Sequence, residues 1–257
     1  MNLPSELAFA IRREVLIRAP RPDVFRYFTD SGRFARWWGE GSTIDPRAGG
    51  AVRIVYPGGV VALGEVLEIA PPERIVFTFG FEAGAPIAPG GSRVTVTVEE
   101  EARGARVRLL HEVTDSATGE AFVQGWRYQL AVFANVVADE VHAGVAATID
   151  RWFAAWNESD ARTRLAELRS IASPGLTFSD AFSCTVGVED LNAHVSAAKV
   201  HLPGLTIARD GSPLQCQGSA IARWTMTGPD GGPAGAGANL FELGPDGRIG
   251  RVVGFRG

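Results

Sequence analysis

Between Glu120 and Glu158 the chain holds no proline, and apolar residues recur at helical spacing: Phe122, Trp126, Leu130, Phe133 and Val137, then Ile149, Phe153 and Trp156. Ordinary helices run about 8–20 residues, so the pattern predicts two helices in succession, broken near Gly144. Sequence rich in strand pattern lies on both sides. Upstream, Val15 and Ile17 share a face of a strand that starts at Ile11 and stops at Pro20. Two short helices follow, PDVFRYFTD and GRFARWWG, the second capped by Asp30 or Ser31. Strands are expected at about 51–56, 60–69, 74–82, 92–100 and 105–113, separated by Gly49-Gly50, Pro57-Gly58-Gly59, Pro71-Pro72, the 86–91 loop and Arg103-Gly104. Downstream, helices TIDRWFAAWNESD and ARTRLAELRSIAS end at Pro174-Gly175, and LTFSD reads as a short strand. A helix VEDLNAHVSAAKVHLPG then precedes strands at about 205–210, 214–227, 235–243 and 248–255, with glycine-rich 229–237 as a hairpin loop. The expected class is α+β, with an extension at 1–10 and domains at 11–143 and 144–257.

Composition narrows the function classes. Length allows two domains with their own cores. No run approaches the roughly 18 apolar residues of a transmembrane helix. The first residues have neither a basic n-region nor a long apolar h-region, so the expectation is a cytoplasmic protein with no membrane partner. Net charge is −4, with 15 basic and 18 acidic residues in 1–141 and 10 against 11 in 142–257. Neither half offers the basic patch that nucleic acid requires. Cys184 and Cys216 show no metal-ligand spacing and are expected as free thiols. No phosphate loop, nucleophile elbow or metal cluster is present, so no cofactor is expected. Of 25 basic residues 24 are arginine, which points to a GC-rich bacterial genome; Lys199 is the one side chain able to form a Schiff base.

Several stretches carry family resemblances. APRPDVFRYFTDSGRFARWWG, DPRAGG, GEVLEIAPPERIVFTF, VTVTVEEEARGARVRLLHE and Gly125-Trp126, in that order over roughly 11–141, resemble bacterial homologues of the heat-shock ATPase (Hsp90) activator within the START-like, or SRPBCC, helix-grip superfamily. WFAAWNESD, LTFSDAFS, AHVSAAKVHLPGL and NLFELGPDGRIGRVVGF, over about 145–257, resemble the SnoaL-like group of the nuclear-transport-factor fold. The first resemblance implies a sheet gripping the closing helix around a cavity. The second implies a cone with a pocket, in a group that includes polyketide cyclases and steroid isomerases, and pairing of two copies through the sheet at 205–255.

Candidate chemistry is sparse. His111 shares a strand face with Val107, Leu109 and Val113, so it is either a general base or ligand donor, or a hydrogen-bonded histidine in the wall. Glu65 shares a face with Leu63, Leu67 and Ile69 if that strand is regular; otherwise the face of Val60 and Val66 is buried and Glu65 is solvated. Asp180 ends LTFSD and is either the base for proton abstraction beside a carbonyl or a turn aspartate. His194 lies with Leu191, Val195 and Ala198 on one helix face and could partner it. Trp37, Trp38, Phe77, Phe79 and Trp126 are candidate walls of a first pocket, and Trp156, Phe178, Trp224 and Asn239 of a second. Asn239 can orient a ligand but cannot take a proton at neutral pH.

Three functions fit these residues. One is a protein that binds a hydrophobic or aromatic, polyketide-like small molecule in one or both cavities. Another is a cofactor-independent cyclase, isomerase or dehydratase. The third is a co-chaperone-like interaction module.

Overall fold

The computed structural model describes residues 7–257. The expected extension at 1–10 therefore lies mostly outside the described residues, and strand β1 (Phe9–Ile17) begins inside its last part. The chain divides after Ala138 into two compact units.

In the first unit, β1 leads to α1 (Arg21–Phe25), a 3-10 turn at Arg26–Phe28 and α2 (Ser31–Trp38). Asp30 caps α2 by accepting from the Arg33 backbone N–H at 2.9 Å, while Ser31 exchanges hydrogen bonds with the Ile44 backbone. Strands β2 (Thr43–Ile44), β3 (Ala51–Val55), β4 (Val61–Ala70), β5 (Arg74–Phe81), β6 (Ser92–Glu101) and β7 (Gly104–Val113) follow. They form an antiparallel sheet ordered β1-β7-β6-β5-β4-β3-β2. Helix α3 (Ser116–Val141) buries Trp126, Leu130, Phe133 and Val137, the stripe read from sequence. Phe133 is fully buried among Tyr27, Phe28 and Trp37. Truncating such a side chain to alanine costs about 3–5 kcal/mol.

Strand β4 departs from the expected alternation. Ala62, Gly64 and Val66 face inward, and a bulge between Val66 and Glu68 leaves both Leu67 and Glu68 exposed. Before the bulge the alternation is regular, and Glu65 falls on the outer face because the face of Val66 is the buried one.

In the second unit, α4 (Val145–Asn157) starts immediately after Gly144, the expected break. Helix α5 (Ala161–Ile171), β8 (Ala172–Ser179), β9 (Cys184–Val186) and α6 (Val188–His201) come next. Helix α5 thus ends before Pro174-Gly175, which lie inside β8. Buried Arg164 ties α5 to α6, its guanidinium donating to Asn192 Oδ1 at 2.7 Å and to Ser196 Oγ, and to the Glu158 carbonyl at 2.7 Å. Strands β10 (Thr206–Cys216), β11 (Ser219–Thr227), β12 (Pro233–Leu243) and β13 (Ile249–Arg256) complete a sheet ordered β10-β11-β12-β13-β8-β9, in which only β13–β8 is parallel.

Two strand expectations need correction here. The stretch 214–227 is not one strand: a two-residue turn at Gln217-Gly218, φ 48° and 77°, closes a hairpin between β10 and β11. Nor is 229–237 all loop, because β12 begins at Pro233. No single helix among the described residues is long and apolar enough to cross a membrane.

Candidate functional site

The residues proposed for a first pocket are all deeply buried, and Trp37, Trp38, Phe79 and Trp126 lie against other rings. Trp37 and Trp38 lie 4.3 Å apart, and Trp38 meets Trp126 at 5.7 Å. Phe79 meets Phe122 and His111, and Phe77, on β5, is buried. Rings surround these side chains, and the indole N–H groups of Trp37 and Trp38 are buried without an acceptor among the described residues.

His111 sits in this packing, inaccessible to solvent, at the centre of a relay. An indole nitrogen can only donate, so Trp126 Nε1 donates to His111 Nδ1 at 3.0 Å. The ring proton is then on Nε2 and is donated to Ser92 Oγ at 2.8 Å, which donates to the Phe79 carbonyl at 2.8 Å. Burial lowers the His111 pKa from 6.5 to about 4, against a small opposing effect of the Glu112 charge. A neutral imidazole with both nitrogens engaged presents no lone pair to a ligand. The geometry therefore puts His111 in the wall, not in acid–base chemistry. Glu65 does not reach the interior either. Its side chain is on the outer face of β4, half-exposed, while its backbone N–H donates to Thr78 Oγ1 at 2.9 Å.

In the second unit, helices α4 and α6 and the concave face of the sheet enclose a cavity of about 250 Å³, chiefly apolar, lined among others by Trp152, Trp156, Phe178, His194, Trp224 and Asn239. Trp156 Nε1 and Trp152 Nε1 are buried and meet no acceptor among the described residues. The Phe178 ring lies 5.3 Å from Trp156 and 6.2 Å from His194.

Trp224 Nε1 donates to Asn239 Oδ1 at 3.0 Å. Because the indole cannot accept, this bond fixes the amide oxygen toward Trp224 and leaves the amide NH2 as a donor. Two glycines make the arrangement possible. A side chain at Gly237 would strike Trp224 Cζ2 at 2.4 Å and the Phe255 carbonyl at 2.1 Å, so the indole lies directly over bare backbone. At Gly254, a Cβ would stand 3.2 Å from Asp180 Cβ and 3.3 Å from Asn239 Oδ1, so both residues border it.

Asp180 Oδ1 accepts from the backbone N–H groups of Phe182 and Ser183, each at 2.8 Å, and from Ser183 Oγ at 3.0 Å. It is thus a turn aspartate that also borders the cavity. No hydrogen bond joins it to His194. Residues that the sequence did not single out as site residues also line the cavity, among them Lys199, Gly254 and Arg256. A glycine inside a strand is a sign of close approach, and Gly254 in VVGF carried it. Among the described residues no group of three or more His, Cys, Asp or Glu side chains is placed to hold a metal.

Residues 18–138 match the family model of activator of Hsp90 ATPase homolog 1-like proteins. No curated protein matches the chain. Among solved structures it is similar to an AHSA1-like protein from Rhizobium etli, 31% identical over 50% of this chain and 81% of that one, with TM-score 0.42. It is also similar to a SnoaL-like family protein from Agrobacterium tumefaciens, 27% identical over 46% of this chain and 98% of that one, TM-score 0.42. CalU16 from Micromonospora echinospora is 27% identical over 49% of this chain and 74% of that one, TM-score 0.38. With the matched segment running from the end of β1 through the sheet into the closing helix, the chain belongs, through residues 18–138, to the activator of Hsp90 ATPase homolog 1-like family.

Proposed function

We propose that this protein binds a small, largely apolar or aromatic molecule in the cavity of its second unit, and that the ligand carries hydrogen-bond acceptors. One observation carries the reading. Two buried indole N–H groups, those of Trp152 and Trp156, have no acceptor among the described residues, beside a void whose walls are chiefly apolar. A buried donor without a partner costs about 1–3 kcal/mol, and a ligand oxygen would recover it. The Asn239 amide adds a third donor. Asn157 has little left to offer as an acceptor: its Oδ1 takes the Ile207 N–H and its carbonyl takes Lys199. The cavity lies near the lower end of small-molecule sites, about 300–1,000 Å³. Planar compounds with carbonyl or phenolic oxygens, polyketides among them, suit such a wall.

The reading is tested by screening aromatic ketones, flavonoids, steroids and fatty acids for paired changes in indole emission and melting temperature. A ligand at 100 times its Kd adds about 2.7 kcal/mol of stability. Trp224→Phe is expected to alter the emission response and Trp126→Phe to leave it unchanged. A flat response across the library removes the reading.

A second reading, proton transfer next to a ligand carbonyl, is favoured by the position of Asp180 beside Asn239. The aspartate's Oδ2 accepts no bond in its turn. It requires turnover of a carbonyl substrate that Asp180→Asn abolishes.

A further inference from the structure

Lysine is nearly absent from this chain. Every basic residue except position 199 is arginine, and Lys199 lies in the wall of the second-unit cavity. Its Nζ donates to the carbonyl of Asn157, at the C-terminal end of α4, at 2.9 Å. That contact explains a cation, since helix ends welcome basic side chains on their last carbonyls. It does not explain lysine, because a guanidinium would serve the carbonyl as well. An amine differs from a guanidinium in one respect that matters in a cavity: it can lose its proton and act as a nucleophile.

The surroundings shift the amine toward its uncharged form. Lys199 is half-buried on α6 beside the apolar wall of Ala198 and Val195. Arg164 is a buried, permanent cation held beneath the same helix by Asn192 and Ser196. Burial first, and then the Arg164 charge, lower the Lys199 pKa, against the opposing effect of Glu158. A lysine desolvated next to a second cation is a recognised way to make a nucleophilic amine near neutral pH. Held to Asn157 by one N–H, a neutral amine keeps its lone pair free.

We propose that Lys199 condenses with the carbonyl group of an aldehyde or ketone held in this cavity, forming an imine. This rests on the binding reading above. The Nζ lone pair adds to the carbonyl carbon to give a carbinolamine. Its hydroxyl leaves as water, the nitrogen gives up its proton, and the C=N bond forms, with no net oxidation or reduction. Lys199 lines the same cavity as the two tryptophans with unpartnered donors, so the oxygen of an entering carbonyl has polar groups to meet while its carbon meets the amine.

The test uses 2-naphthaldehyde with cyanoborohydride, which reduces the imine to a stable secondary amine, followed by peptide mass mapping of the full-length chain. With one lysine, the only other amine is the chain's α-amine. The expected result is an adduct on Lys199, formed faster than on the α-amine and suppressed by excess 2-methylnaphthalene, which has the ring system without the carbonyl. Lys199→Arg is expected to keep the melting temperature and lose the adduct. Labelling confined to the α-amine, or Lys199 labelling that 2-methylnaphthalene does not suppress, overturns the proposal. If 2-methylnaphthalene binds the wild type and no adduct forms, the binding reading stands and the imine falls. If 2-methylnaphthalene fails to bind and no adduct forms, both fall.

Discussion

Trp224 on β11 and Asn239 on β12 are joined by an indole-to-amide hydrogen bond of 3.0 Å that also decides which way the amide faces. The bond turns a residue that cannot exchange a proton into an oriented donor at the cavity wall. Asn239→Asp keeps an acceptor for Trp224 and removes the NH2. A net hydrogen bond is worth about 0.5–1.5 kcal/mol. The variant is therefore expected to weaken binding of 2-acetonaphthone by up to about tenfold and to leave binding of 2-ethylnaphthalene, which has no acceptor, unchanged. Calorimetric titration of both compounds checks it.

Gly237 leaves no room for a side chain. A methyl group there meets the Trp224 ring and the Phe255 carbonyl well inside contact distance, whereas at Gly254 the nearest atoms are above 3 Å. Overpacking of this kind costs about 1–3 kcal/mol. Gly237→Ala is expected to lower the melting temperature by several degrees and Gly254→Ala by less, with Gly254→Ala acting mainly on ligand affinity. Thermal unfolding of the two variants side by side measures the order.

His111 makes a prediction about acid. Its native pKa of about 4 is below the unfolded value of 6.5, so the unfolded chain binds the proton more readily. The stabilising contribution is complete above pH 6.5 and is lost as pH falls from there toward 4. At about 1.4 kcal/mol per pKa unit, the loss comes to about 3 kcal/mol. His111→Gln, which cannot titrate, is expected to remove that part of the pH dependence of unfolding free energy in urea. An unaltered slope between pH 7 and 4 would contradict the buried relay.

Much of this was legible in the sequence. The helical stripe through Trp126 and Phe133, the break at Gly144, most turns and the α+β class follow from spacing and turn chemistry. What was not legible depends on features without a local signal. The bulge after Val66 leaves Glu68 exposed beside Leu67, where regular alternation would have turned it inward. Gln217 adopts a positive φ that its side chain does not announce. Burial cannot be read for Trp37 and Trp38 as against Trp152 and Trp156: all four look alike in sequence, and only the packing shows that one group is enclosed by rings and the other lines a void.

Oligomeric state gives a further prediction. Leu214, Ile221, Leu240 and Val253 stand in register across β10 to β13 on the outer face of the second sheet, with Leu214 72% and Ile221 42% exposed. On the second half's resemblance, we propose that two copies pair through this face. Leu214→Glu with Ile221→Glu is expected to halve the mass found by light scattering at tens of micromolar. A wild-type protein that is monomeric there contradicts the pairing.

The most direct test of ligand binding in the second unit is to block its cavity from the wall of α6. Ala198 lines it, and Ala198→Phe introduces a ring where the ligand is placed. Titrating 2-acetonaphthone calorimetrically into the wild type and into Ala198→Phe is expected to show one site per chain in the first and none in the second, with no fall in the variant's melting temperature. Equal binding by both proteins would contradict the assignment of the ligand to this cavity.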